Sequence, residues 1–185
     1  MLRIRARTEL RVLREYYRKL SELVGLADGP LDAHATQVSK WSVAQQVCHI
    51  FLVNGAALRN IRKLCAGEKE AEGPARGLTW TGLLVLACRW IPRGRGRAPQ
   101  AVVPPAEVSR DRLAELLEES RRELEEIGAL SGAMGHRKGR IRHFIFGELD
   151  ALQWLRFARI HTRHHLKIIR DIQRRMPLER GEAAP

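Results

Sequence analysis

The sequence has few cysteines, and their spacing is not that of a zinc-binding or disulfide-stapled protein. Cys48, Cys65 and Cys88 are the three cysteines in 185 residues, and no two of them form a Cys-x-x-Cys pair. All three lie in apolar stretches, so we predict reduced, mostly buried thiols. A chain of this length can bury about 70% of its unfolded surface, so one core can stabilise it without covalent staples.

Long apolar runs are also missing. The most apolar stretch, Leu78 to Ile91, has 14 residues and includes Arg89, whereas a membrane-spanning helix needs about 20. The first residues include Arg3 and Arg5 and lack the apolar run of a signal peptide. We therefore expect no membrane partner and a cytoplasmic location.

Acidic residues are scarce relative to basic ones. The chain has 21 Asp and Glu against 33 Lys and Arg, a net charge of +12, which raises the question of a nucleic-acid partner. The arginines are spread over the outer faces of several predicted helices. Aromatic residues, 5% of the chain, are not interleaved with them as a base-stacking surface requires. We expect a solvated basic surface that adheres weakly to polyanions, with no specific nucleic-acid site.

The alternation of period two that marks β-strands is absent, and apolar residues instead recur at helical spacing. We predict long helices over residues 8–24, 42–65, 109–130 and 149–176, and a short one over 79–90. This pattern predicts an all-α fold, a four-helix bundle with an extra short helix. We place it in a single domain, residues 1–176, followed by a disordered tail at 177–185.

The connections carry their own signals. Ser42 and Gln45 fit the Ser-x-x-Gln capping box that opens a helix. Residues 93–105 contain three prolines among alternating glycine and arginine, so we predict a long surface loop. Residues 131–148 form a second irregular connection in this prediction. The sequence leaves open how the helices are ordered in the bundle and whether the loop at 93–105 covers a site.

The last predicted helix has two histidines in the middle of its apolar stripe. His161 and His165 lie about 40° apart around the helix axis, and His164 lies at the stripe's edge. The apolar residues of the stripe are Trp154, Phe157, Ala158, Ile168, Ile169 and Ile172. The basic residues expected on the opposite side are Arg156, Arg159, Arg163, Lys167, Arg170 and Arg174.

Two buried imidazoles one turn apart need partners, because an unpaired buried polar group costs about 1 to 3 kcal/mol. Side chains at this spacing lie about 5 to 6 Å apart at Cβ, so both rings can bind one divalent ion. The alternative is a pair of core histidines hydrogen-bonded to carboxylates or backbone carbonyls. Periodicity leaves both interpretations open, and it makes His49, at the margin of the second helix's stripe, an ordinary partly buried histidine.

Three segments resemble the DinB-like superfamily of bacterial candidate metalloenzymes, also called the YfiT-like fold. Residues 41–50, WSVAQQVCHI, resemble its second-helix pattern, in which a Trp-Ser opening is followed by a histidine. Residues 161–165, HTRHH, resemble its last-helix pattern His-x-x-His-His. Residues 143–149, HFIFGEL, with Trp154 after them, resemble the His-Pro-x-Phe-Gly-x-Leu segment of one uncharacterised branch.

The resemblance implies that His49, His161 and His165 bind one divalent metal ion, nickel or zinc. Three neutral imidazoles leave positions open for water or substrate, as in catalytic sites. The resemblance further implies a metal-dependent enzyme, a thiol-dependent S-transferase or a hydrolase. It would act on a small-molecule substrate together with a low-molecular-weight thiol.

Some residues depart from the family pattern. Ile168 occupies a position that is glutamine in many relatives, and Phe144 replaces the proline of the third segment. No Asp or Glu lies one turn from either histidine on the inward face, so the sequence names no general base. The alternative is a non-catalytic metal-binding or interaction bundle, dimeric through an apolar helix face. A fourth ligand, such as Cys48, His143 or His164, would close the site and favour that alternative.

Overall fold

The computed structural model describes residues 4–26, 30–68, 77–94, 98–135 and 139–175. Over these residues the chain forms five α-helices, two short 3-10 helices and one two-stranded antiparallel sheet. The elements are α1 (Ala6–Gly25), α2 (Val43–Ala66), α3 (Trp80–Cys88), α4 (Arg110–Ala129), β1 (Ile141–His143), β2 (Gly147–Leu149) and α5 (Ala151–Gln173). The tail predicted at 177–185 lies outside the described residues, and the domain bounds stay a prediction.

The prediction of an all-α four-helix bundle with an extra short helix is confirmed. α2 packs against α5 and α4, and α1 packs against α4 and α5, so α1 and α2 take diagonal positions although they are consecutive in the chain. The interior holds fully buried side chains from the four long helices, including Leu13, Phe51, Ile61, Leu113 and Leu155. Each such side chain contributes about 1.5 to 3 kcal/mol by leaving water. α3 packs against α5 on the outside of the four long helices and adds Val85 and Leu86 to the core.

Both helices that carry the histidines begin with a capping box. Ser42 Oγ accepts from the amide of Gln45 at 3.2 Å, and the Gln45 side chain accepts from the amide of Ser42 at 3.0 Å. This confirms the capping box predicted for α2. Asp150 and Gln153 form the same reciprocal pair at the start of α5, at 2.8 and 3.0 Å. Each box satisfies two amides that the first helical turn leaves without partners and is worth about 1 kcal/mol.

The prediction that residues 131–148 are irregular throughout is wrong in part, because β1 and β2 pair there as a hairpin. Each strand has three residues, which is too short for an alternating pattern to be recognised. Gly147 has a positive φ of 84°, and a Cβ there would lie 2.5 Å from the Gly77 carbonyl oxygen. Only glycine fits this turn without strain.

The prediction that every basic residue of α5 faces outward is wrong for Arg156 and Arg159. Both are buried, and both form ion pairs with Glu9 of α1, which is also buried. α5 contacts α1 as well as α2, so its buried surface is wider than the apolar stripe alone. The other basic residues named for that face, Arg163, Lys167, Arg170 and Arg174, are exposed.

The cysteine prediction holds at two positions and fails at the third. Cys48 and Cys65 are buried and Cys88 is exposed, and all three are free thiols. Cys88 ends α3, an apolar helix with only part of its surface against the bundle, so Trp80 and Leu84 are exposed with it. Among the described residues, no helix is both long enough and apolar enough to cross a membrane.

Candidate metal centre

The packing of α2 against α5 brings His49, His161 and His165 together. One ring nitrogen from each lies within 4.8 Å of the corresponding nitrogens of the other two. The Nε2 atoms of His49 and His161 are 3.2 Å apart. Two imidazole nitrogens that bind one tetrahedral ion at about 2.1 Å are separated by about 3.4 Å. The three residues named from the sequence therefore form one buried cluster whose spacing fits a single ion.

Hydrogen bonds orient two of the three rings. His49 Nδ1 lies 2.7 Å from the carbonyl oxygen of Val102, and His165 Nδ1 lies 2.6 Å from Oε1 of Gln46. Because a carbonyl oxygen only accepts, each Nδ1 carries the proton and donates it. Each Nε2 therefore presents a lone pair to the cluster, which is the form in which histidine binds a metal.

The side-chain amide of Gln46 is itself held in one orientation. Its Nε2 donates to Ser39 Oγ at 2.8 Å, which leaves Oε1 directed at His165. Ser39 Oγ also accepts from the amide of Trp41 at 3.0 Å. A short chain of hydrogen bonds from the loop before α2 thus determines which nitrogen of His165 is protonated.

His161 is positioned by packing. Its ring lies 4.4 Å from the ring of His165, 5.0 Å from that of His49 and 5.5 Å from that of Phe157, measured between centroids. Its Nδ1 is buried and has no hydrogen-bond partner among the described residues. The only polar contact of this ring that the described residues provide is therefore the one between its Nε2 and His49.

Burial keeps the cluster uncharged at neutral pH. Desolvation lowers the pKa of His161 and of His165 well below the ordinary value, and the neighbouring imidazoles add to the effect. Desolvation also lowers the pKa of His49, although its hydrogen bond to Val102 opposes the shift. Neutral imidazoles do not have to lose a proton before they bind a cation.

A cavity of about 400 Å³ opens onto the cluster. Its described lining is mostly apolar and aromatic and contains no Asp or Glu. The aromatic residues in the lining are Trp41, Phe144, Phe146, Trp154 and Phe157. Ligand pockets are commonly of this size and composition, so the histidines have room for a small molecule beside them.

The loop predicted at 93–105 borders this cavity. Gly94, Ala98, Pro99 and Val102 are part of its lining. A short 3-10 helix, Gln100–Val102, is the structured part of the loop, and its last residue accepts the hydrogen bond of His49. The sequence left open whether this loop covers a site. The described residues of the loop form one wall of the cavity.

The candidates for a fourth ligand stand apart from the cluster. Among the described residues, Cys48, His143 and His164 contribute no atom to the group of converging nitrogens. His164 is half-buried beside the ring of His165, and burial lowers its pKa to about 4. His143 lines the same cavity as the cluster. The described residues therefore bring together three candidate ligands, and a set of three would leave coordination positions open.

The segment HFIFGEL forms the hairpin turn at the cavity wall. Nδ1 of His143 accepts from the amides of Ile145 and Phe146, at 3.1 and 3.3 Å. Thr79 at the start of α3 donates its amide to the carbonyl of Phe146 at 2.9 Å. Gly147 allows this close approach through its positive φ. The segment thus ties the hairpin to the start of α3 and fixes the position of His143 at the cavity wall.

Sequence reasoning missed Gln46 and the carbonyl of Val102. Gln46 lies three residues before His49 on α2, so helical spacing could have placed both on one face. Ile168, which departs from the family pattern, is buried in the core, and Gln46 of the neighbouring helix provides the polar partner of His165. The Val102 carbonyl has no sequence signal, because every residue has one.

Comparison with known proteins agrees with the fold. No curated protein matches the chain. Among solved structures, it is similar to the crystal structure of TT2238, a four-helix bundle protein, with a TM-score of 0.56 and 22% identity over 88% of this chain and 95% of that chain. At that identity the likeness shows the fold alone. The family model described as the DinB superfamily matches residues 10–169, and the chain belongs to this superfamily.

Proposed function

We propose that the chain is an enzyme that depends on one divalent ion, zinc or nickel, bound by His49, His161 and His165. The observation that carries the proposal is the convergence of three buried imidazoles at an open cavity of about 400 Å³. A structural site would need a closed set of protein ligands, whereas the described residues provide three. Such an ion supplies a Lewis acid with positions open to a substrate.

The protein's own residues prepare the site in three ways. Val102 and Gln46 hold the protons of His49 and His165 on Nδ1, so that both Nε2 lone pairs face the cluster. Trp154 and Phe157 exclude water from one side of the cavity and offer an apolar surface to the substrate. Burial keeps the imidazoles neutral. The same features would bind and orient a small, largely apolar molecule.

Within this proposal we favour transfer of a low-molecular-weight thiol over hydrolysis. Hydrolysis assisted by a general base needs a group that accepts a proton from water, and the described cavity lining contains no carboxylate for that role. A thiol needs no such base, because its pKa is about 8.5 when free and a nearby cation stabilises the thiolate. Thiol transfer is therefore the reaction class that this set of side chains supports best.

Titration of the nickel-loaded protein with glutathione and with L-cysteine tests this function. We expect a new absorption band with at least one of the two thiols. The band should be absent in His161→Ala and retained in His164→Ala, because His164 lies outside the converging nitrogens. A nickel-loaded wild type whose spectrum and calorimetric heat do not change with either thiol would rule out thiol transfer.

A second candidate function is a non-catalytic interaction bundle, and the surface of α3 favours it. Trp80 is 82% exposed and Leu84 is 61% exposed, which is unusual for side chains of this size. A second copy of the chain would cover these residues in a homodimer. Sedimentation of the wild type and of Trp80→Ser at several concentrations tests the homodimer, and a wild type that stays monomeric would exclude it.

A further inference from the structure

His143 is a buried histidine that the cluster does not use. It is 7% exposed, and its Nδ1 accepts hydrogen bonds from the amides of Ile145 and Phe146. Because a backbone amide only donates, Nδ1 must carry the lone pair, and the ring proton must be on Nε2. No described residue forms a hydrogen bond with that Nε2. The ring therefore has one N–H group left for a partner.

The ring cannot turn freely. It stacks on Phe146 with centroids 4.3 Å apart and planes 9° apart, and on Phe144 at 4.8 Å and 19°. Phe157 closes the edge at 4.8 Å. Rotation would break the two amide hydrogen bonds as well as the stacking. Since His143 also lines the cavity beside the three-histidine cluster, its N–H group is a donor held in place before any ligand binds.

The other polar groups of the cavity indicate what kind of partner this donor has. The described lining contains no carboxylate, and Arg142, which precedes His143 on β1, is its one arginine or lysine. A ligand amine would find no side-chain counter-charge here, whereas a ligand oxygen would find the N–H donor of His143. The rest of the lining is largely aromatic and aliphatic. The cavity is therefore suited to an apolar molecule with an oxygen acceptor.

We propose that the Nε2–H group of His143 donates a hydrogen bond to a carbonyl or carboxylate oxygen of a small, otherwise apolar substrate. This inference rests on the proposed function for the reacting centre and adds the substrate class. The hydrogen bond orients the polar end of the substrate on the hairpin wall while its apolar body lies against Trp154 and Phe157. His143 is thus a substrate-binding residue and not a metal ligand.

Acetophenone and α-methylstyrene test this inference, because they have nearly the same shape and differ by a carbonyl oxygen in place of a methylene group. Both are titrated into metal-free full-length protein, and the ratio of the two dissociation constants is measured by calorimetry. We expect His143→Asn to shift this ratio against acetophenone by about 3-fold to 10-fold, the worth of one hydrogen bond. Benzoate in place of acetophenone shows whether a carboxylate is preferred over a carbonyl.

The variants are chosen to separate binding from folding. In His143→Asn, the side-chain oxygen can still accept from the amides of the turn, as Asn commonly does. Val53→Ala changes the cavity lining on α2 and leaves the rings stacked on His143 in place, so it should leave the ratio unchanged. An unchanged ratio in His143→Asn, or a ratio equally shifted in Val53→Ala, would overturn the inference.

Nitrogen-15 spectra of the wild type provide a second test that needs no variant. We expect the His143 proton on Nε2 at neutral pH, with a shift on adding acetophenone and none on adding α-methylstyrene. A proton on Nδ1 would overturn the inference. Because these experiments use metal-free protein, their failure leaves metal binding untouched, and a failure to bind metal leaves their result unaffected.

Discussion

Gln46 and Val102 determine which nitrogen of two buried histidines is available at the centre of the site. Each accepts the Nδ1 proton of one ring, Gln46 from His165 and Val102 from His49. Without an acceptor, a buried N–H group costs about 1 to 3 kcal/mol, so the alternative arrangement of protons is strongly disfavoured. The contribution of each acceptor can therefore be measured as a change in metal affinity.

Replacing Gln46 by Ala should weaken zinc binding by about 10-fold to 100-fold, because His165 loses the acceptor that fixes its proton and its ring orientation. Competition with a chromogenic chelator measures the affinity. Gln45→Ala is the matched control, since the Gln45 side chain contacts the amide of Ser42 and the carbonyls of Pro105 and Ala106. Equal affinity in Gln46→Ala and the wild type would contradict this role.

The buried histidines should make the protein sensitive to acid. Burial lowers the pKa of His143 to about 4 in the folded protein, while an unfolded histidine has a pKa of about 6.5. The unfolded chain therefore binds more protons between these values, and stability falls as the pH drops below about 6.5. Above about pH 6.5 the folded protein has the full stability that neutral His143 allows. For His143 alone, the loss between pH 7 and pH 5 is about 2 kcal/mol in the free energy of unfolding.

Urea unfolding of the metal-free protein at pH 7 and at pH 5 measures this loss. Between pH 7 and pH 5, the free energy of unfolding should fall further in the wild type than in His143→Asn. The difference between the two losses is the contribution of His143. An equal pH dependence in the two proteins would show that His143 is not held neutral by the fold.

At the scale of single residues, the sequence predicts which side chains share a helix face. The helical positions of His161 and His165 follow from their spacing, which is a local property of α5. His49 is on another helix, and it became a candidate ligand only through the resemblance of the segment that contains it. The Val102 carbonyl could not be predicted, because its place beside His49 depends on how a loop folds over the bundle.

At the scale of the elements, Glu9 connects α1 to α5. Its carboxylate pairs with Arg156 at 2.9 Å and also with Arg159, and all three side chains are buried. In the same bundle, Asn54 of α2 donates to Tyr17 of α1 at 3.1 Å and to Thr162 of α5 at 2.9 Å. Polar contacts therefore join the helices of the bundle at defined positions along α5.

Glu9→Gln should lower the free energy of unfolding by about 3 to 5 kcal/mol, because it removes the buried carboxylate that pairs with the buried guanidinium groups of Arg156 and Arg159. Urea unfolding at neutral pH measures the change. Glu15→Gln on the same helix is the control, since Glu15 is an exposed partner of Arg18, and it should leave stability nearly unchanged. If both variants unfolded alike, the buried ion pairs would not be what joins α1 to α5.

Local sequence signals predict the helices closely. They do not predict which helices contact one another. The Ser42 capping box predicted the start of α2, and apolar spacing predicted the five helices. The helical wheel misplaced Arg156 and Arg159, because it shows one apolar stripe and not a charged partner 147 or 150 residues away in the chain. The hairpin was missed because its strands are too short to carry a pattern.

At the scale of the whole molecule, the site depends on the order of the helices in the bundle. α2 and α5 are neighbours although three connections and the helices α3 and α4 separate them in the chain. This arrangement brings His49 and His161 to 3.2 Å across a separation of 112 residues. Periodicity predicts the faces of the helices and not their order, so this contact was expected from the family resemblance and not from the spacing of apolar residues.

The central claim is that the three converging histidines bind one divalent ion. Its most direct test is metal content per chain, measured by mass spectrometry on protein purified without a histidine tag and loaded with zinc or nickel. We predict about one ion per chain in the wild type and in His164→Ala, and almost none in His49→Ala, His161→Ala or His165→Ala. A wild type that binds no divalent ion after loading, or single variants that all retain it, would contradict the claim.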